Sequence, residues 1–196
     1  MGTRSMLALV VVALLSLTPM VWSQAANERS AVYDLAAGSQ IRMDLEAGEY
    51  VIKGSPDEKV RIVWSADRVR DAENVKVRFN VNQDGGTLHM KDTKKAHITI
   101  HVPSRSDLRI NLSAGELYLY GIEGNKDIEL TAGELRVNVG DPAAYRDVSS
   151  SVSIGEINAR PFQVNKDGFF RSFQHVGQGK YSLRAAVGVG EVHLSR

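Results

Sequence analysis

Apolar and polar residues alternate with a period of two along most of this chain, in short runs bounded by Gly, Asn, Asp and Ser. That pattern predicts strands rather than helices. Strands are expected over Gln40–Glu46, Glu49–Lys53, Lys59–Ser65, Val75–Val81, Thr87–Lys91 and Ala96–Val102, with a denser series from there to the C-terminus. Between two of them, Gln83-Asp84-Gly85-Gly86 supplies residues that tolerate positive φ and predicts an antiparallel hairpin near the N-terminal end. Asp141-Pro142 fits the start of a single helical turn, with Asp as the cap and Pro at the first position.

The alternation is interrupted in the same way five times, at Gly48-Glu49, Gly115-Glu116, Gly133-Glu134, Gly155-Glu156 and Gly190-Glu191. In each copy apolar residues alternate up to the residue before glycine and resume three positions later. Examples are Ile128, Leu130, Ala132 then Leu135, Val137, and Val187, Val189 then Val192, Leu194. A slip of one would throw the second half onto the wrong face of a flat strand, so the chain must turn or bulge at the glycine. Each copy then reads as strand, glycine corner, strand and looser turn. Copies two to five are spaced by 18, 22 and 35 residues, Pro161–Gly179 filling the longest gap. Periods near 20 predict coils of a solenoid, each too small to bury its own apolar edge. The expected fold is thus all-β: a short β-solenoid, parallel β-helix-like, of Gly-Glu corner repeats with an N-terminal antiparallel hairpin region. An antiparallel meander or sandwich is the competing architecture.

The first 25 residues break the pattern. Arg4 precedes an apolar run from Met6 to Leu15, and Ser23-Gln24-Ala25 follows, the layout of a cleavable signal peptide. Ser16, Thr18 and Pro19 interrupt the run well short of the ~20 apolar residues a bilayer span needs, so no transmembrane segment is expected in the mature chain. Residues 26–196 are left as one β-repeat domain, periplasmic or extracellular. Loss of Arg4 leaves 23 basic against 23 acidic side chains, which gives no electrostatic footprint for nucleic acid. The chain has no cysteine, so disulfides, thiol catalysis and cysteine-ligated metals are excluded.

Stacked coils would set Glu116, Glu134 and Glu156 in a column about 4.8 Å apart, with Arg136 and Arg160 on the same outward face to relieve the repulsion. A carboxylate column could attract Ca²⁺, but no dedicated calcium loop is present, and no metal or cofactor is assigned. His97 and His101, four apart in a strand, are too distant to chelate one ion, whereas His193 can pair with Glu191. Tyr118 and Tyr120 alternate with Leu117 and Leu119, so they face outward if the leucines face in, for carbohydrate or protein contact or for packing across rungs. Phe169 and Phe170, with Phe173, are expected to fold over the terminal coil as a cap, or to form a partner-binding loop. No serine nucleophile elbow, zinc-protease helix or phosphate-binding loop occurs.

The Gly-Glu-apolar-x-apolar repeats, the segment HITIHVPSRSDLRINLSAGELYLYGIEGN and the closing GKYSLRAAVGVGEVHLS together resemble the bacterial putative-adhesin family of secreted β-strand-repeat domains. The likeness covers about residues 40–196, although family members more often carry Asp where this chain has Glu. It implies a non-catalytic β-solenoid at the cell envelope and brings no catalytic motif. The expected function is an adhesin-like binding or structural module whose partner is an envelope protein or glycan. A sensory or regulatory envelope domain is the nearest alternative, and a polysaccharide-active solenoid enzyme a more distant one.

Overall fold

A computed structural model describes residues 27–196, so the segment read as a signal peptide lies outside the described residues. Twelve strands form one mixed sheet: β1 Glu28–Asp34, β2 Gln40–Leu45, β3 Gly48–Ser55, β4 Lys59–Ala66, β5 Lys76–Asn82, β6 Gly85–Lys91, β7 Ala96–Pro103, β8 Asp107–Tyr120, β9 Lys126–Asn138, β10 Tyr145–Ala159, β11 Val164–Val176 and β12 Tyr181–Ser195. The main path runs β1-β4-β7-β3-β8-β9-β12-β10-β11, and the sheet forks at β8. The first half of β8 lies beside β2, which continues to β6 and β5, and its second half lies beside β3. The strands from β7 through β3, β8, β9 and β12 to β10 run parallel, an arrangement of the solenoid kind rather than a meander. Antiparallel partners close the ends: β4 with β1, β5 with β6, and β11 on β10.

The fork arises because β2 ends at Leu45 and β3 begins at Gly48, where β8, β9, β10 and β12 run through the same step unbroken. In every repeat the last core residue before the glycine and the first after it are five positions apart: Leu45 and Tyr50, Leu112 and Leu117, Leu130 and Leu135, Val152 and Ile157, Val187 and Val192. An odd interval changes the face of a flat strand, yet both halves of each repeat bury into one hydrophobic cluster. The residue just before each glycine does not join that cluster. Ala47, Ala114 and Ala132 are half-buried and Ile154 and Val189 exposed, so alternation into the core stops three positions before the glycine rather than one.

Gly115, Gly133, Gly155 and Gly190 adopt φ of +118, +134, +139 and +138, the region side chains avoid. Gly48 lies in the same row without a left-handed φ, because there β2 ends at Leu45 and β3 begins afresh. Tyr50 ties that interruption together. Its buried hydroxyl lies 2.8 Å from Thr93 Oγ1 and 3.0 Å from the Glu46 carbonyl, and the Thr93 hydroxyl donates to the Ala47 carbonyl.

Two elements escape the alternation rule. β1 carries little apolar pattern, and α1, Val69–Asn74, is a six-residue helix docked by the Trp64 indole donating to the Ala72 carbonyl at 3.0 Å. Asp141 accepts from the Ala143 backbone at 3.0 Å and caps a 3-10 turn over Pro142–Ala144.

The larger departure from sequence order is at the C-terminus. β10 does not stack on β9. It folds back with β11 as an antiparallel hairpin, and β12 returns to insert between β9 and β10, parallel to both. The long stretch before the last repeat is therefore an edge strand, not a loop. Phe173 points inward, 8% exposed, and packs on Phe162, whereas Phe169 and Phe170 are 66% and 84% exposed. Of the three aromatics expected to form a cap, only Phe173 reaches the core; Phe169 and Phe173 are four apart and would share a face of a regular strand, but the left-handed φ of +50 at Phe170 interrupts the alternation between them.

Candidate ligand-binding face along the glycine row

Because the five glycines are in register, each position around them forms a row across the coils. One residue after glycine the row reads His97, Glu49, Glu116, Glu134, Glu191, Glu156 and Asp167 across β7, β3, β8, β9, β12, β10 and β11. Glu134 therefore neighbours Glu191, not Glu156, and the expected column of Glu116, Glu134 and Glu156 has Glu191 inserted as a fourth member. Two residues further on, the row reads Val51, Tyr118, Arg136, His193 and Asn158. One residue before glycine, Ala114, Ala132, Val189, Ile154 and Phe169 are neighbours, so apolar bulk grows toward β11.

Adjacent carboxylates about 4.8 Å apart repel by about 0.9 kcal/mol in water, and the rows interleave so that most glutamates find a local partner. Glu49 meets His97 Nδ1 at 3.1 Å. Glu116 accepts from the Tyr118 hydroxyl, and Glu134 accepts from Arg136 Nε. His193 Nε2 lies 2.9 Å from Glu191 Oε2 and 3.5 Å from Glu134 Oε1. Arg160 sits in the turn after β10, and among the described residues it makes no ion pair with Glu156.

Tyr118 and Tyr120 face away from the core, on the side opposite Leu117 and Leu119, which are fully buried. Tyr118 is half-buried and lies under the Arg136 guanidinium, 5.7 Å from its ring centroid. Its bond to Glu116, helped by desolvation, pushes the phenol up to about 12. Tyr120 is 43% exposed. The structure brings Tyr118, Glu116, Glu134 and Arg136 into one patch on adjoining coils. Phe169 and Phe170 stand apart from it on β11. At the other end of the glutamate row an open cleft of about 670 Å³ is bordered by Glu49, Glu116, His97, Asp71 and Lys95. His101, four residues along β7 from His97 and on the same face, has its pKa lowered by burial first, then by Lys53 and Arg61.

Inside the fold lies a charged group that the sequence reading passed over. Lys126 is 2% exposed, with Nζ donating to the Gly124 carbonyl and to the Tyr145 hydroxyl, both at 2.9 Å. Burial pushes its pKa down to about 8 against the pull of Asp107 and Glu123, and burial also raises Tyr145 to about 12. The signal was available, since Lys126 stands two residues before Ile128 and so shares the core phase of β9.

Among solved structures, one described as a putative cell adhesion protein from Clostridium sporogenes aligns with 86% of this chain and 99% of its own, at 13% identity and a TM-score of 0.50. The likeness is one of fold. Two structures described as putative adhesins, from Parabacteroides distasonis and Parabacteroides merdae, align with 85% and 86% of this chain and 73% and 77% of their own. They are 12% and 13% identical, with TM-scores of 0.30 and 0.28. No family model matches the chain, and no curated protein matches it in sequence. Among the described residues, no helix is long and apolar enough to cross a membrane.

Proposed function

We propose that this protein is a secreted, non-catalytic β-repeat module that binds a protein or glycan of the bacterial cell envelope. On this reading residues 1–25 are a signal peptide, residues 26–196 the working domain, and the Gly-Glu steps the corners of a short solenoid. The observation that carries the proposal is the patch of Tyr118, Tyr120, Glu116 and Arg136, held outward on parallel rungs whose opposite face is fully packed. Amphipathic aromatics beside charged hydrogen-bonding groups on a stiff scaffold suit sugar rings or protein surfaces. The cell adhesion description of the Clostridium sporogenes protein, whose fold spans nearly its whole length, agrees with this role.

The test is binding of the purified protein to isolated envelope fractions and to a glycan array. A saturable ligand is expected, and Tyr118→Ala with Tyr120→Ala should weaken it about 30-fold, the effect of a central aromatic anchor of about 2 kcal/mol. No binding to any fraction, or binding indifferent to both substitutions, would remove the tyrosine face from the account.

A further inference from the structure

We infer that Glu134, Glu191 and His193 form a binding site for a first-row divalent cation of the zinc type. The insertion of β12 beside β9 creates it. Gly133 and Gly190 are register partners, so Glu134 and Glu191 project side by side, and His193, two residues on, shares their face. One ligand atom from each of the three residues lies within 4.8 Å of the other two.

The two spacings from the imidazole to the carboxylates are close to those of a coordination sphere. Four ligands at about 2.0–2.1 Å around a tetrahedral ion stand about 3.3 Å from one another. Here the imidazole Nε2 is 2.9 Å from Glu191 Oε2 and 3.5 Å from Glu134 Oε1. The ligands stem from two parallel, hydrogen-bonded strands, so their mutual positions are fixed by the sheet rather than by loops. Neighbouring carboxylates repel, and a divalent ion between them reverses the sign of that term.

The donor set decides the class of ion. Calcium takes oxygen ligands alone, whereas imidazole with carboxylate is the combination zinc and its neighbours accept. Two carboxylates and one imidazole supply three of the four ligands of a tetrahedral ion, and Glu156 stands next in the row beyond Glu191. Arg136 is the competitor already in place, its Nε donating to Glu134 Oε1. Occupancy requires that contact to loosen. The site shares Glu134 and Arg136 with the tyrosine patch but does not require that patch to bind a ligand.

The test is a Zn²⁺ titration of tag-free, chelator-stripped protein by calorimetry, with Co²⁺ absorption as a second readout. One ion per chain is expected. His193→Ala and Glu191→Gln should each weaken binding about tenfold or more, with the metal-free melting temperature retained. Arg136→Gln should tighten it several-fold, and His97→Ala, at the far end of the row, should leave it unchanged. Absence of saturable binding up to millimolar Zn²⁺ would overturn the inference. Binding indifferent to His193→Ala, or lost equally with His97→Ala, would do the same.

Discussion

Gly190 stands against Gly133 so closely that a Cβ on Gly190 would lie 1.8 Å from the Gly133 carbonyl oxygen. The same contact repeats along the row, Gly133 against Gly115 and Gly155 against Gly190, at 1.9 and 1.7 Å. The strands can therefore stack in register only where no side chain exists. Gly190→Ala combines that overlap with a φ of +138 and should destabilise the fold by more than about 3 kcal/mol in urea unfolding. Gly140→Ala, at φ +65 with nothing within 4 Å of the added methyl, should cost only about 1 kcal/mol.

The buried lysine makes stability depend on pH in a defined direction. Folded Lys126 releases its proton near pH 8, while the unfolded side chain holds it to about 10.4. Between those values the unfolded chain binds more protons, so stability should rise with pH, by up to about 3 kcal/mol. Above about pH 10 the trend reverses, because Tyr50 and Tyr145 stay neutral to about 12 when folded but ionise near 10 when unfolded. Denaturant midpoints from pH 7 to 11 should peak near pH 10. Lys126→Met should flatten the rising limb; an unchanged slope in that variant would contradict the assignment.

On the edge strand, the two faces of β11 should respond differently. Phe173→Ala should cost about 3 kcal/mol, since its ring fills the core beside Phe162. Phe170→Ser removes a side chain that is 84% exposed and should leave the melting temperature within a degree or two. Calorimetric melting of the two variants checks both, and a large loss with Phe170→Ser would restore the cap that the sequence suggested.

Strand content and the phase change at each Gly-Glu step were legible because both are local: they follow from the period-two alternation around Leu130 and Leu135, or Leu112 and Leu117. The order of strands in space was not. Nothing near Gly155 or Gly190 records that a slot remains between β9 and β10, since Val187 and Val192 match the apolar rows of both neighbours equally well. Pairing over such separations is decided by packing of the whole sheet, and with it went the neighbour of Glu134. Helix α1 was missed for a related reason. At six residues it is too short to show periodicity and is held by the contact with Trp64.

Beyond β9, every row on the outer face depends on β12 lying between β9 and β10, and a chain without cysteine permits a clean test. Asp127 and Arg184 are register partners on β9 and β12, and Ser149 pairs with Arg184 from β10. Adjacent strands place Cα atoms about 5 Å apart, within disulfide reach, and strands two apart are separated by about 9.6 Å, beyond it. Oxidation of a double variant carrying Asp127→Cys and Arg184→Cys should give an intramolecular disulfide in the folded protein, and one carrying Asp127→Cys and Ser149→Cys should give none. Cross-linking of the second pair but not the first would mean that β10 stacks directly on β9, and the cluster of Glu134, Glu191 and His193 would not exist.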